Sequence, residues 1–167
     1  MKALLMTGLM AAVGALRGRG VGSMAIPRVR SLRGAELSGM DLAANDMSGV
    51  DLSGANLSRA DLDAANLKGA SLTEANLTGA LLRAANLAGA NLPGACLQWA
   101  NLTGANLKGA DLSSADLSNA DLSEADLNGA NMGGAKCRSA KFDGSTYDND
   151  TVFPDRFNPA RRGMRKT

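Results

Sequence analysis

The sequence predicts an all-β solenoid, a chain wound repeatedly around one narrow core. Three observations predict it. A large residue recurs at every fifth position from Leu32 to Tyr147, giving 24 units, of which nineteen are centred on Leu and the rest on Met47, Met132, Cys137, Phe142 and Tyr147. A small residue stands two positions before most centres, and from Ala55 to Ala140 it is always Ala. The 45% apolar content is mostly Ala, Leu and Met with only five aromatics, which suits a thin, uniform interior rather than an aromatic-rich globular core.

A period of five fits no single regular element. In an α-helix it advances about 140° net per unit, so the leucines would cover the whole circumference. In a strand an odd period throws them onto opposite faces in turn. The chain must therefore turn once per unit. The Ala and the large residue, two apart, point inward from one short extended segment, and the Asn or Asp between them points outward. The two positions after each centre, rich in Ser, Thr and Gly, make the corner. Such units stack coil upon coil at roughly the 4.8 Å strand spacing.

The motif A-[DN]-L-[ST]-x appears as ANLTG (75–79 and 100–104), ADLSS (110–114) and ADLSE (120–124). It resembles the tandem motif of the pentapeptide repeat proteins, and the resemblance covers residues 31–150. It implies a right-handed quadrilateral β-helix with four units to a coil, hence about six coils and a rod of about 29 Å. The chain divides accordingly into an N-terminal segment (1–30), the solenoid (31–150) and a C-terminal cap with a basic tail (151–167). The family's activities are diverse, so the resemblance specifies architecture rather than task.

Residues 1–30 carry five bases and no acid. A lysine, an apolar run and the small-residue stretches Val13-Gly14-Ala15 and Ser23-Met24-Ala25 read first as an export signal to a periplasm or lumen. An organellar transit peptide and a capping segment retained in a cytoplasmic protein are the alternatives. In the first units Asn45 occupies an inward position between Met40 and Val50, with a backbone hydrogen bond expected to satisfy it.

Residues 31–150 carry 15 acids and 8 bases, and the acids crowd the stretch Asp111, Asp116, Asp121, Glu124 and Asp126. With four units to a coil, these form a belt around the rod rather than one face. Residues twenty apart become stacked neighbours. Asp116 is then expected beside Lys136 and Asp121 beside Lys141, with Asp111 between Asn91 and Asn131.

Regular repeats make exceptions visible. Leu81 and Cys96 take outward positions usually held by Asn or Asp, and Trp99 takes a corner usually held by a small or polar residue. With Arg83 nearby and the indole expected against Leu81, these four form the candidate partner patch. Cys137 reads as core filler, two coils from Cys96 and unable to reach it for a disulfide.

At the C-terminal end the centres enlarge to Phe142 and Tyr147, after which the pattern fails. Val152, Phe153 and Phe157 are expected to close over the last coil. Asn158 and Pro159 read as the N-cap and first position of a short helix that leaves Arg161 and Arg162 solvated. The ending YD-x-x-T-x-FP-x-x-F-x-P also resembles endings in the same family.

The composition bears on chemistry as well. There is no His, the two cysteines match no metal or redox spacing, and no apolar run approaches a membrane span. An interior filled by Leu and Ala leaves no ligand cavity. The expectation is a non-enzymatic scaffold or protein-interaction module without a cofactor, binding a protein partner rather than nucleic acid. End-to-end homodimers are an open assembly. The alternative, drawn from the resemblance to gyrase-protecting members, is a DNA-mimicking protector or inhibitor of a type II topoisomerase.

Overall fold

The computed structural model describes residues 31–167. The export, transit and capping readings of residues 1–30 lie outside the described residues. From Ser31 onward the chain is a right-handed quadrilateral β-helix, each unit an extended step followed by a two-residue corner. Parallel bridges join residues twenty apart, from Ser31↔Asp51 to Asp126↔Thr146, so four units complete one coil.

One unit shows why five residues suffice. In Ala115–Asn119, Ala115 N–H donates to Leu112 O across the preceding corner, and Asp116 N–H to Ala95 O in the coil before. Leu117 N–H and Asn119 N–H donate to Lys136 O and Arg138 O in the coil after. Ser118 N–H has no backbone acceptor and donates instead to Asp116 Oδ1 at 3.0 Å. All five amides are thereby paired, as buried or stacked backbone requires. The outward Asn or Asp is a turn-making residue, bonding its own backbone two residues on.

Ala and Leu fill the interior: every inward residue from Leu52 to Leu127 is at most 1% exposed. Asn45 is intermediate in exposure and its Nδ2 donates to Ala43 O at 3.3 Å. Each corner passes through a left-handed residue, most often Gly.

The cap departs from the sequence reading in three ways. A one-residue insertion after Tyr147 makes Val152, not residue 151, the partner of Asn131. Val152 therefore continues an outward ladder at 50% exposure and does not close the core. Closure falls to Phe153 and Phe157, stacked at 5.0 Å between centroids and edge-on to Tyr147 and Phe142 respectively, and to buried Met164. The expected helix is a single 3-10 turn, Ala160–Arg162, capped at Pro159, with Asn158 Oδ1 accepting from Arg161 N–H. Arg162 is not free in solvent. Its guanidinium donates to Ala140 O and lies 5.5 Å from the Phe157 ring centroid, because the chain folds back across the last coil.

That return ends in a parallel pair, β1 (Thr146–Tyr147) with β2 (Arg165–Lys166), which starts a further coil. Gly163 makes the approach: its φ is +72°, and a Cβ there would meet Asp143 Oδ1 at 2.9 Å.

Candidate interaction surface

Four corners and four faces run the length of the rod, each a ladder of residues twenty apart. Their charges differ. The face and corner holding Asp61 and Asp121 carry Asp41, Asp61, Asp63, Asp121, Glu124 and Asp143 against Arg83 and Lys141. The face and corner holding Trp99 carry only Glu36 and Asp116 against Arg59, Lys136 and Arg138.

The acidic belt is occupied by structure-making bonds. Asp111, Asp116, Asp121 and Asp126 each accept the backbone N–H two residues on at 3.0 Å. Asp116 also accepts from Gln98 Nε2 at 3.0 Å and stands 3.9 Å from Lys136 Nζ; Asp121 lies 3.2 Å from Lys141 Nζ. The Ser118 hydroxyl is the main cause holding the Asp116 carboxyl below its ordinary pKa, helped by the Ser118 amide, Gln98 and Lys136 against the opposing push of burial. For Asp121 burial is the largest single influence and pushes upward, yet the Ser123 hydroxyl and amide and Lys141 together carry the group down. Asp111 stacks between Asn91 and Asn131, whose Nδ2 donates to it at 3.2 Å, and Glu124 sits on a left-handed corner.

Leu81 stands outward at 37% exposure between Asp61 and Asn101. A leucine offers Arg83 N–H no side-chain acceptor. That amide instead donates to Asp63 Oδ1, one coil back, at 2.8 Å, while the Arg83 guanidinium grips Asp63 Oδ2. Arg83 is the largest cause of the lowered Asp63 pKa. Arg83 thus repairs the bond lost at Leu81, with its side chain still 58% exposed. Its stacking on Asp63 was readable from the spacing of twenty. Cys96 is half-buried, its Sγ 3.2 Å from Thr78 Oγ1. Cys137 is likewise a free, half-buried thiol, and desolvation pushes its pKa up to about 11, where it is inert at neutral pH.

Trp99 is different. It is 66% exposed, so Leu81 gives the indole little cover, while its φ of +61° is that of the other corners. A bulky residue is costly in that backbone region, where Gly serves on the rungs to either side of many corners. The corner ladder below and above it reads Gly39, Arg59, Gly79, Trp99, Asn119, Ser139, and the residues beside these read Ser38, Ser58, Thr78, Gln98, Ser118, Arg138. Neither column contains an acid. Arg59 and Arg138 are exposed and make no ion pair or side-chain hydrogen bond. Among the described residues no group of three or more His, Cys, Asp or Glu could hold a metal ion, and no helix is long and apolar enough to cross a membrane.

A family profile described as pentapeptide repeats matches in eight copies, over residues 31–59, 60–98, 95–134 and 110–146. Among solved structures, a pentapeptide repeat protein from Nostoc Pcc 7120 is 35% identical, over 67% of this chain and 84% of that one, with a TM-score of 0.31. Rfr23, a pentapeptide repeat protein from the cyanobacterium Cyanothece 51142, is 30% identical over 74% and 91%, TM-score 0.42. HetL from Nostoc sp. strain PCC 7120, a pentapeptide repeat protein involved in heterocyst differentiation regulation, is 25% identical over 94% and 91%, TM-score 0.43. No curated protein matches the chain.

Proposed function

The chain belongs to the pentapeptide repeat family, and from that premise we propose that it is a non-enzymatic interaction module that presents the Trp99 corner to a protein partner. One observation carries the reading: among the described residues the most exposed large apolar side chain, at 66%, is a tryptophan projecting from a corner. An exposed Trp is the residue type that anchors interfaces; the left-handed backbone is shared by the other corners and adds nothing to that reading. Leu81 extends the apolar surface from the adjoining face. Arg83 is held by Asp63, and Cys96 lies against the Thr78 hydroxyl. The interior, packed with Leu and Ala, offers no chamber for a substrate.

The alternative, a DNA mimic acting on a topoisomerase, has weaker support. Competing for a cationic groove needs a continuous negative surface. Here even the most acidic face is interrupted by Leu81, Arg83 and Lys141, and Asp63, Asp116 and Asp121 are paired with Arg83, Lys136 and Lys141.

The test is affinity capture with wild type and Trp99→Gly, identification of the retained proteins, and measurement of each purified partner's affinity. Glycine suits the corner's backbone, so the rod stays folded. Loss of affinity by at least about tenfold, or 1.4 kcal/mol, is expected. Unchanged affinity would remove Trp99 from the interface.

A further inference from the structure

We infer that the occupant of the Trp99 corner is an extended acidic peptide in polyproline II conformation, with an apolar side chain on the indole and carboxylates on Arg59 and Arg138. This rests on the reading of that corner as the docking site and specifies its partner chemistry. The argument is one of charge and of register.

The corner is the part of the rod that invites an anion. Its two columns hold Arg59 and Arg138 and no acid, and both arginines lack a partner on the rod. The flanking carboxylates are already engaged: Glu36 by Asn56 Nδ2, Asp116 by Gln98 and Lys136, Asp121 by Lys141, and Asp61 by the Asp63 amide. Gly79 leaves a notch between Arg59 and Trp99. The Arg59 stem crosses it, its Cγ 3.7 Å from where a Gly79 Cβ would stand.

Arg59, Trp99 and Arg138 lie on every second coil, so at roughly 4.8 Å per coil their spacing is about 9.6 Å. A polyproline II helix has three residues per turn at a rise of about 3.1 Å, so every third side chain faces the same way at intervals of about 9.3 Å. The two rulers agree to within the reach of a flexible arginine. A β-strand does not match, because its third residue points to the opposite face. The ligand pattern is therefore acid-x-x-apolar-x-x-acid. Proline at the intervening positions pre-sets the conformation and reduces the ordering cost, and proline-rich segments dock on exposed aromatics generally. Single-stranded nucleic acid fits less well. Its grooves stack successive bases on successive aromatics, whereas Trp99 is the one aromatic on the body of the rod between Ser31 and Lys141.

Trp99 is the only tryptophan in the chain, so intrinsic fluorescence reports on this corner alone. The probe is the synthetic peptide Glu-Pro-Pro-Leu-Pro-Pro-Glu. The expected result is a saturable blue shift that weakens with added salt. Replacing both ligand Glu by Gln, or moving each one residue closer to the Leu, should weaken binding by at least about tenfold. The double substitution Arg59→Gln, Arg138→Gln should do the same. Arg59→Glu with Arg138→Glu should switch preference to the peptide with Lys in place of Glu, a rescue that a misfolded rod could not give. No response to the peptide, equal binding of the Gln peptide, or tighter binding of oligothymidine overturns the inference. If partner affinity depends on Trp99 while the acidic peptide fails, the docking corner stands and its acidic occupant is wrong. If neither depends on Trp99, both readings fall.

Discussion

The outward Asn or Asp of each unit looks decorative in the sequence and is structural in the fold. It supplies the acceptor for the amide two residues on, so its chemistry as an acceptor matters more than its charge. Asp126 has an acceptor bond to Asn128 N–H at 3.0 Å and no cationic neighbour in an ion pair. Asp126→Asn is expected to leave thermal stability nearly unchanged, whereas Asp126→Ala loses about 1 kcal/mol. Trp99 predicts the reverse pattern. Trp99→Gly relieves a bulky side chain in the left-handed region and is expected to raise stability by about 1 kcal/mol in denaturant titrations, even as it abolishes docking. The carboxyl pKa values add a pH dependence. Asp51, Asp63, Asp116, Asp121 and Asp148 are all lowered in the folded state, Asp51 chiefly by the Ser53 hydroxyl and Asp148 by the Gly129 amide. Each binds its proton more weakly folded than unfolded. Their contribution is therefore fully present above the unfolded value of about 4 and is lost as pH falls through the lower folded values. Melting temperature should be level from neutral down to about pH 5 and fall steadily below about pH 4; a flat profile to pH 2 would contradict these assignments.

At the scale of the element, inward and outward positions alternate so strictly that adjacent residues give opposite results. Leu82 is 1% exposed in the core, and Leu81 beside it stands outward. Leu82→Ala is expected to cost about 3 kcal/mol. Leu81→Asn should stay within about 0.5 kcal/mol of wild type, since it restores the ladder between Asp61 and Asn101 and the local acceptor for Arg83 N–H. Equal losses at the two sites would refute the register. This alternation was legible in the sequence because packing imposes it: Leu and Ala fit a core of this width, and from Leu52 to Leu127 both recur without error. The amide bonding of the outward Asn and Asp went unread, because a pattern of inward and outward positions does not say which backbone N–H a side chain serves. The Arg83–Asp63 pair was concealed by its departure from the outward column, although its spacing of twenty is present. What could not be read was the cap. Once the period fails at Asp148, nothing in the pattern records the one-residue insertion that turns Val152 outward, or the fold-back that brings Arg162 to Ala140 O.

As a whole molecule the protein is a stiff rod with unlike surfaces. Its faces differ in charge, and its C-terminal end is shut by Phe153, Phe157 and Met164 over Phe142 and Tyr147, with Arg162 on the outer ring. That closure covers the core at this end of the described residues. Removing residues 151–167 exposes the aromatic rungs and is expected to produce dimers or larger species in sedimentation experiments, which a still-monomeric truncation would refute. The central claim is that one corner of the rod, and not its acidic belt, meets the partner. The measurement that tests it most directly is photocrosslinking from each corner in turn, with Trp99 kept and a photoreactive residue placed at Glu74, Ala84, Gly89 or Ser139, the last on the Trp99 corner. All four are exposed corner positions with left-handed backbones. The account predicts that crosslinks to the partner concentrate at position 139. Crosslinks spread evenly among the four, or concentrated at position 84 beside the acidic face, would contradict it.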